Sequence, residues 1–414
     1  MRASPEPEVI RWAAAQLGWP PNQTACQRLT AGYSWQTYRL SWSGQAVVLR
    51  VALYGGTIEP DAGGREADSI AAVGKSVPTP VVLAVDGDGS VAGRSCVLLQ
   101  HVGGTVIGPR DEVPPALQSR YRRAFGKTLG AIHSEGNAAA LDSVATITDA
   151  LVQAIERTVV TYQTAAFRRH PGFEIGVRWL LTYLPRAHAR PVLCHGNYRL
   201  SNLLWKGAGA ISAVMDWERA WVGDPMVDVA FTRLFSGWCS ITEEGELAYE
   251  VATGVGLNPE RIAYGTTFER WRSYTTSLRA MRAHSEGTSD DPRLERIGLA
   301  GEARAWRLVD LLGDGPLHPL PAIALRAPSR HAWAGVVTEH ASAAAVDALA
   351  AHADSVPGLA AALTIPDPTR AYSEAHDLLT AAARTGGPEL VDALRALSVY
   401  ATVTFHTREE SRWR

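Results

Sequence analysis

The chain has 414 residues, 46% hydrophobic and 20% charged, with 40 Lys and Arg against 42 Asp and Glu and a formal net charge of −2. Such a composition belongs to a globular protein of roughly two to three domains. Its near-neutral balance leaves no long-range field to gather polyanions, which excludes a dedicated nucleic-acid or membrane-surface binder and makes a small molecule the expected partner.

Residues 1–21 read as a short amphipathic helix (Val9, Ile10, Ala13, Ala14, Leu17) without the basic start and apolar core of a signal peptide. No segment approaches about 20 consecutive apolar residues, so a cytoplasmic protein without membrane contact is expected. Cys26, Cys96, Cys194 and Cys239 lack metal-knuckle spacing and are expected to be reduced and mostly buried. From Arg28 to Gln100 the pattern is strand-like: Tyr38–Trp42 and Ala46–Val51 are joined by the turn Ser43-Gly44, and Val81–Val85 and Ser95–Leu99 are separated by a turn at 86–90. Between these pairs, residues 61–75 carry helical spacing up to the Pro78-Thr79-Pro80 stop.

Beyond Gly103-Gly104 the helical periodicity dominates, at Leu117–His133, Ala150–Thr164, Val177–Leu184 and Arg270–Arg282, interrupted by short strands within Val192–Trp221. The expected organisation is therefore α+β and bilobal, with a small β-rich lobe (1–103), a larger helical lobe (104–314) and a cleft near Gln100–Gly104 where a ligand would lie. Residues 315–414 begin with four prolines, contain 24 alanines and show helical patterning at Ala343–Ala351 and Pro388–Tyr400. They are expected to form an appended helical module, through which a homo-oligomer would assemble.

The chemistry is concentrated in Val192-Leu-Cys-His-Gly-Asn-Tyr-Arg-Leu-Ser-Asn-Leu-Leu-Trp205, followed by Ala213-Val-Met-Asp-Trp-Glu218 and Gly223-Asp-Pro-Met-Val-Asp228. A loop after a strand presents polar side chains, and an acid follows at the end of a hairpin. Phosphoryl transfer needs such an arrangement: one residue orients the attacking hydroxyl, and an amide oxygen and a carboxylate hold Mg²⁺ on the nucleotide phosphates. The spacing of His195, position 197 and Asn202 reproduces the catalytic loop of kinase-like folds, with Asp216 as the metal-binding acid.

These motifs resemble the aminoglycoside phosphotransferase and choline kinase family, whose members read His-Gly-Asp-Tyr-Arg-x-x-Asn-Leu-Leu, Asp-Trp-Glu and Gly-Asp-Pro-x-x-Asp-Leu-Ala. The resemblance runs from about Ala25 to Leu312 and implies a protein-kinase-like fold. It departs from the pattern at Asn197, where the family carries its catalytic Asp; an amide accepts no proton at neutral pH but still hydrogen-bonds a hydroxyl. Leu29-Thr-Ala-Gly-Tyr-Ser-Trp-Gln-Thr-Tyr38 is similar to the family's phosphate-covering turn, usually Gly-Gly-x-Ser-Asn-x-Thr-Tyr, with Gly32 and Ser34 as nucleotide contacts or, taken alone, a plain hairpin turn.

The resemblance further implies that Arg50, in Val47-Val-Leu-Arg50, supplies the cation for the phosphates, with Glu66 either its ion-pair partner or a solvated helix charge. Gln100 and Val102 stand at the hinge that would meet the base of ATP or GTP. His195 is an acid or base, or else a buried residue bracing the metal strand. Arg199 completes the catalytic set, and Glu218 either assists the metal or pairs with Arg219 or Arg199. Asp228 is expected to bond the loop backbone, and His133 to sit in the core. Trp238, Tyr249, Trp271, Tyr274 and Arg279 line an acceptor pocket or simply pack the helices. Two functions stay open: an ATP- or GTP-dependent O-phosphotransferase for a small-molecule hydroxyl, with a weakened base, or a repurposed or catalytically silent member of the fold.

Overall fold

The computed structural model describes residues 5–31, 34–53, 62–90, 93–108, 111–167, 169–207, 209–289, 291–312, 349–354, 356–365, 368–382, 392–395 and 397. Gly32, the proline-rich segment and most of the two Ala-rich helical patterns lie outside them. The chain divides into two compact units, one of residues 1–152 and 185–269, the other of residues 153–184 and 270–414.

The first unit opens with helix α1 (Pro7–Leu17), closed by Gly18 in the left-handed conformation whose amide returns to Ala14 and Ala15. Strands β1 (Ala25–Ala31), β2 (Trp35–Trp42) and β3 (Gln45–Ala52) follow, then α2 (Ala62–Ala72), β4 (Val82–Asp86) and β5 (Cys96–Gln100). The strands form an antiparallel sheet in the order β1-β2-β3-β5-β4. Ser43 and Gly44, both at positive φ, make the two-residue turn that sets β2 against β3 in a register placing Thr37 opposite Arg50. Tyr38, Leu40, Leu49 and Leu98 bury one sheet face with Val9 and Trp12 of α1. On the opposite face, Trp35, Val97 and Leu99 pack with Ala62 of α2.

A short strand β6 (Thr105–Val106) leads to α3 (Pro115–Glu135) and α4 (Ile147–Ala165), which runs into the second unit. The chain returns through β7 (Val192–Cys194), β8 (Leu203–Lys206), β9 (Ala210–Val214) and β10 (Trp221–Gly223), then α6 (Pro225–Phe235), α7 (Glu244–Thr253) and the start of α8 (Pro259–Ser285). Asp224 caps α6 by accepting the Met226 amide at 2.8 Å, with Pro225 at the first helical position. Helices α3 and α7 meet backbone to backbone: a Cβ on Gly126 would lie 2.0 Å from the Gly245 carbonyl oxygen.

The second unit holds α5 (Pro171–Thr182), α9 (Pro292–Leu312), α10 (Leu359–Leu363) and α11 (Pro368–Ala382). Its centre is aromatic: Phe173 stacks on Tyr162 at 3.8 Å and on Trp271 at 4.8 Å. The Trp271 indole donates to the Phe173 carbonyl at 3.0 Å, and the Tyr274 hydroxyl donates to Glu302 at 2.9 Å. No described helix is long and apolar enough to cross a membrane. Cys96, Cys194 and Cys239 are buried, Cys26 is half-buried, and all four are free thiols.

The loop after β7 is held from beneath. Asp228 on α6 accepts the amides of His195 at 2.6 Å and Gly196 at 2.8 Å, and a further bond from His133 Nε2 at 3.2 Å. Burial alone would raise this carboxyl, but His133 and the loop amides outweigh it and hold it below its ordinary range. Fully buried His195 accepts the Asn197 amide at Nδ1 (3.1 Å) and donates from Nε2 to the Met215 carbonyl (3.0 Å), and the bond at Nδ1 requires the neutral ring. Desolvation holds it below 6.5 against the pull of Asp228 and Asp216.

Because the folded value of His195 lies below the unfolded one, its contribution to stability is complete above about pH 6.5 and is lost as pH falls toward the folded value. We expect the melting temperature of the wild type to drop below that pH more steeply than that of His195→Asn; parallel curves would refute this role. Gly196 has φ +71°, and a Cβ there would lie 2.2 Å from the Arg219 carbonyl oxygen. Gly196→Ala is expected to cost about 2 kcal/mol or more in a denaturant titration.

Candidate functional site

Arg50 enters from β3 and Glu66 from α2, and the two form a buried ion pair. The second guanidinium nitrogen of Arg50 donates to Asp216 Oδ1 at 2.7 Å and lies 3.5 Å from Glu218. Asp216 follows β9 in the left-handed conformation, φ 69° and ψ 55°, which bends the chain into the short turn Trp217–Arg219. A non-glycine residue held there is a strained position of the kind found at functional sites.

The other Asp216 oxygen, Oδ2, accepts Asn197 Nδ2 at 2.6 Å and Asn202 Nδ2 at 3.3 Å. Asn202, in the turn Leu200–Asn202, also donates to the Asn197 carbonyl at 2.9 Å. Trp217 donates its amide to Glu66 at 3.3 Å, and Trp35 donates its indole N–H to Glu218. Six of the residues singled out from the sequence, Arg50, Glu66, Asn197, Asn202, Asp216 and Glu218, therefore form one bonded cluster, with His195 one bond behind Asn197.

One guanidinium serves three carboxylates. Burial pushes Glu66 up to about 7 against the pull of Arg50, and burial with the neighbouring Asp216 charge pushes Glu218 up to about 8. Burial would also raise Asp216, but Arg50 beside it, with Arg199, holds it below the usual carboxylate value. Asp216 is thus the most fully ionised of the three at neutral pH, and its side chain keeps 21% of its surface accessible.

The remaining expected site residues are placed more loosely. Arg199 is half-buried and acts on Asp216 and His195 through its field. The Ser34 carbonyl accepts the Leu53 amide at 3.0 Å, closing the end of β2 and β3. Exposed Gln100 ends β5, its amide bonded to the Val81 carbonyl at 2.8 Å, and Val102 is half-buried in the next loop. Glu218 turns to Arg50 and Trp35, whereas Arg219 lies 3.9 Å from Glu269. Tyr249, Trp271 and Tyr274 are 0–1% exposed and packed in the helical cores. Trp35 was not singled out; its signal was an indole directly after Ser34, where the family pattern has Asn.

A model of the phosphotransferase enzyme family matches residues 25–264. Over 212 residues the chain is 32% identical to acyl-CoA dehydrogenase family member 10 of Mus musculus, a match covering 49% of this chain and 20% of that protein. The chain thus spans about a fifth of the length of this relative. Among solved structures, a candidate aminoglycoside phosphotransferase from Ralstonia eutropha JMP134 superimposes with a TM-score of 0.53 at 22% identity, covering 72% of this chain and 95% of that one. A thermostable mutant of aminoglycoside phosphotransferase APH(4)-Ia, in complex with ADP and hygromycin B, gives 0.51 at 17% identity, covering 75% and 100%. These likenesses show an α+β, kinase-like fold, and the match over more than half of its length makes the chain a member of the phosphotransferase enzyme family.

Proposed function

We propose that the protein is an ATP- or GTP-dependent O-phosphotransferase acting on a small-molecule hydroxyl with an altered catalytic base. The supporting observation is the ionised, partly accessible Asp216 carboxylate, fixed between Arg50 on one side and Asn197 and Asn202 on the other. Its donor set of a carboxylate and an amide oxygen is the hard-oxygen kind that Mg²⁺ prefers, so the residues fit that ion. Asp216 and Asn202 would hold it, and it would supply charge neutralisation on the nucleotide phosphates.

In this reading Arg50 exchanges part of its carboxylate contact for phosphate oxygens. Asn197 spends its N–H on Asp216, which leaves Oδ1 to accept a hydrogen bond from the acceptor hydroxyl and orient it. The amide takes no proton, so the hydroxyl proton departs to solvent or to a phosphate oxygen as the bond from the acceptor oxygen to the γ-phosphorus forms and the bond to the leaving nucleoside diphosphate breaks. Because the transition state is loose, positioning and charge stabilisation sustain a slow reaction. The proposed reaction requires a hydroxyl, and the name of the relative, acyl-CoA dehydrogenase family member 10, is the reason to include acyl-CoA compounds that carry one among the acceptors to try. A cytoplasmic location and a homo-oligomer through residues 315–414 belong to the same reading.

The second reading, a silent or repurposed member, draws on the same cluster: every oxygen of Asp216 already has a partner within the protein. Calorimetric titration of ATP and GTP with Mg²⁺ separates the two. Binding that requires both Mg²⁺ and Asp216, lost in Asp216→Asn, is expected, and no binding of either nucleotide would favour the silent reading. With an acceptor in hand, Asn197→Asp is expected to raise turnover by about 10²–10⁴, the usual worth of a general base. An unchanged rate would rule out Asn197 as a weakened form of the family base.

A further inference from the structure

Where the family pattern reads Gly-Gly-x-Ser-Asn-x-Thr-Tyr, this chain reads Ala31-Gly-Tyr-Ser-Trp-Gln-Thr-Tyr38, so an indole replaces a short amide. Trp35 is the first residue of β2, paired with Ala52 at the open end of the hairpin, and is 2% exposed. Its N–H is fixed on Glu218, and the Arg50 Cζ lies 4.8 Å from its ring centroid. The two terminal nitrogens of Arg50 are taken by Glu66 and Asp216, with Glu218 at 3.5 Å. Ring and carboxylates together leave Arg50 8% exposed.

A phosphate can use a guanidinium only through its N–H edges or its open face, and here the edges carry carboxylates and a face carries the indole. The polyanion also meets three acidic side chains, Glu66, Asp216 and Glu218, gathered around Arg50. We propose that Trp35 is a specificity-determining residue: latched by Glu218, it screens Arg50 from nucleotide phosphates, and binding requires the Trp35–Glu218 bond to break. This rests on the reading of Arg50 as the phosphate cation.

The latch can be tested with MgATP and MgGTP by calorimetry on the wild type, Trp35→Phe and Trp35→Asn, with melting curves confirming that each variant is folded. Trp35→Phe keeps an aromatic ring beside Arg50 while removing the indole N–H and shrinking the side chain. It is expected to lower Kd several-fold, up to about tenfold, the size of one hydrogen bond, and Trp35→Asn at least as far. A general packing role would not tighten binding. Equal or weaker binding in Trp35→Phe, with binding intact in the wild type, overturns the latch and leaves the nucleotide reading standing.

Acrylamide quenching gives a readout without nucleotide. The Trp35 signal, taken as wild type minus Trp35→Phe, is expected to be shielded in the wild type and about twofold more accessible in Glu218→Leu, which has no acceptor for the indole N–H. Unchanged shielding overturns the latch. Absence of nucleotide binding in the wild type and both variants overturns the nucleotide reading and with it the screening role, while the quenching result decides separately whether the Trp35–Glu218 bond stands.

Discussion

The contact between Arg50 and Asp216 joins a strand of the five-stranded sheet to the turn after β9, across 166 residues of sequence. The site hangs on it. Removing one partner of a buried ion pair strands the other, a loss of about 3–5 kcal/mol, and here the stranded groups would be Glu66 and Glu218 as well as Asp216. The second support lies below, where Asp228 grips the amides of His195 and Gly196 and His195 passes the constraint to Met215, one residue before Asp216. Asp216 is thus located from two directions, which explains how it keeps a left-handed backbone that its own side chain does not favour.

The amide at position 197 changes the electrostatics of that frame. An aspartate in its place would set a second carboxylate 2.6 Å from Asp216 Oδ2, whereas asparagine turns the same proximity into a hydrogen bond. The resting protein gains a satisfied donor and avoids a like-charge contact, while the site gives up a proton acceptor. A cation between the two side chains would reverse the balance, because it would make two carboxylates welcome.

Much of this was legible in the chain. The Ser43-Gly44 turn between β-forming runs fixes the register that aims Arg50, and the helix spacing after Gly63-Gly64 puts Glu66 on the inner face of α2. The loop spacing from His195 to Asn202 and on to Asp216 brings the acid to both amides because a tight hairpin, β8 to β9, lies between them. Less legible were contacts that depend on where a side chain turns after the backbone is set. Glu218 has neighbouring arginines in sequence but bonds an indole 183 residues away. Tyr249, Trp271 and Tyr274 carry polar atoms suited to a pocket, yet their partners, His133, the Phe173 carbonyl and Glu302, satisfy those atoms inside the cores. The division into units also escapes linear reading, since it cuts through α4 and α8, each a continuous helix.

The asparagine over Asp216 stands one hydrolysis away from aspartate. Deamidation begins with attack by the following backbone nitrogen, here that of Tyr198, a residue with no exposed surface, so ageing at this position is slowed by the fold. It need not go far to matter. If an aspartate turns over about 10²–10⁴ times faster, then a sample in which one molecule in about a thousand has aged derives a sizeable share of its rate from that fraction. Any slow turnover measured for a preparation would then record its history as much as its sequence, and a peptide-level mass measurement of the segment that holds Asn197 belongs beside every rate.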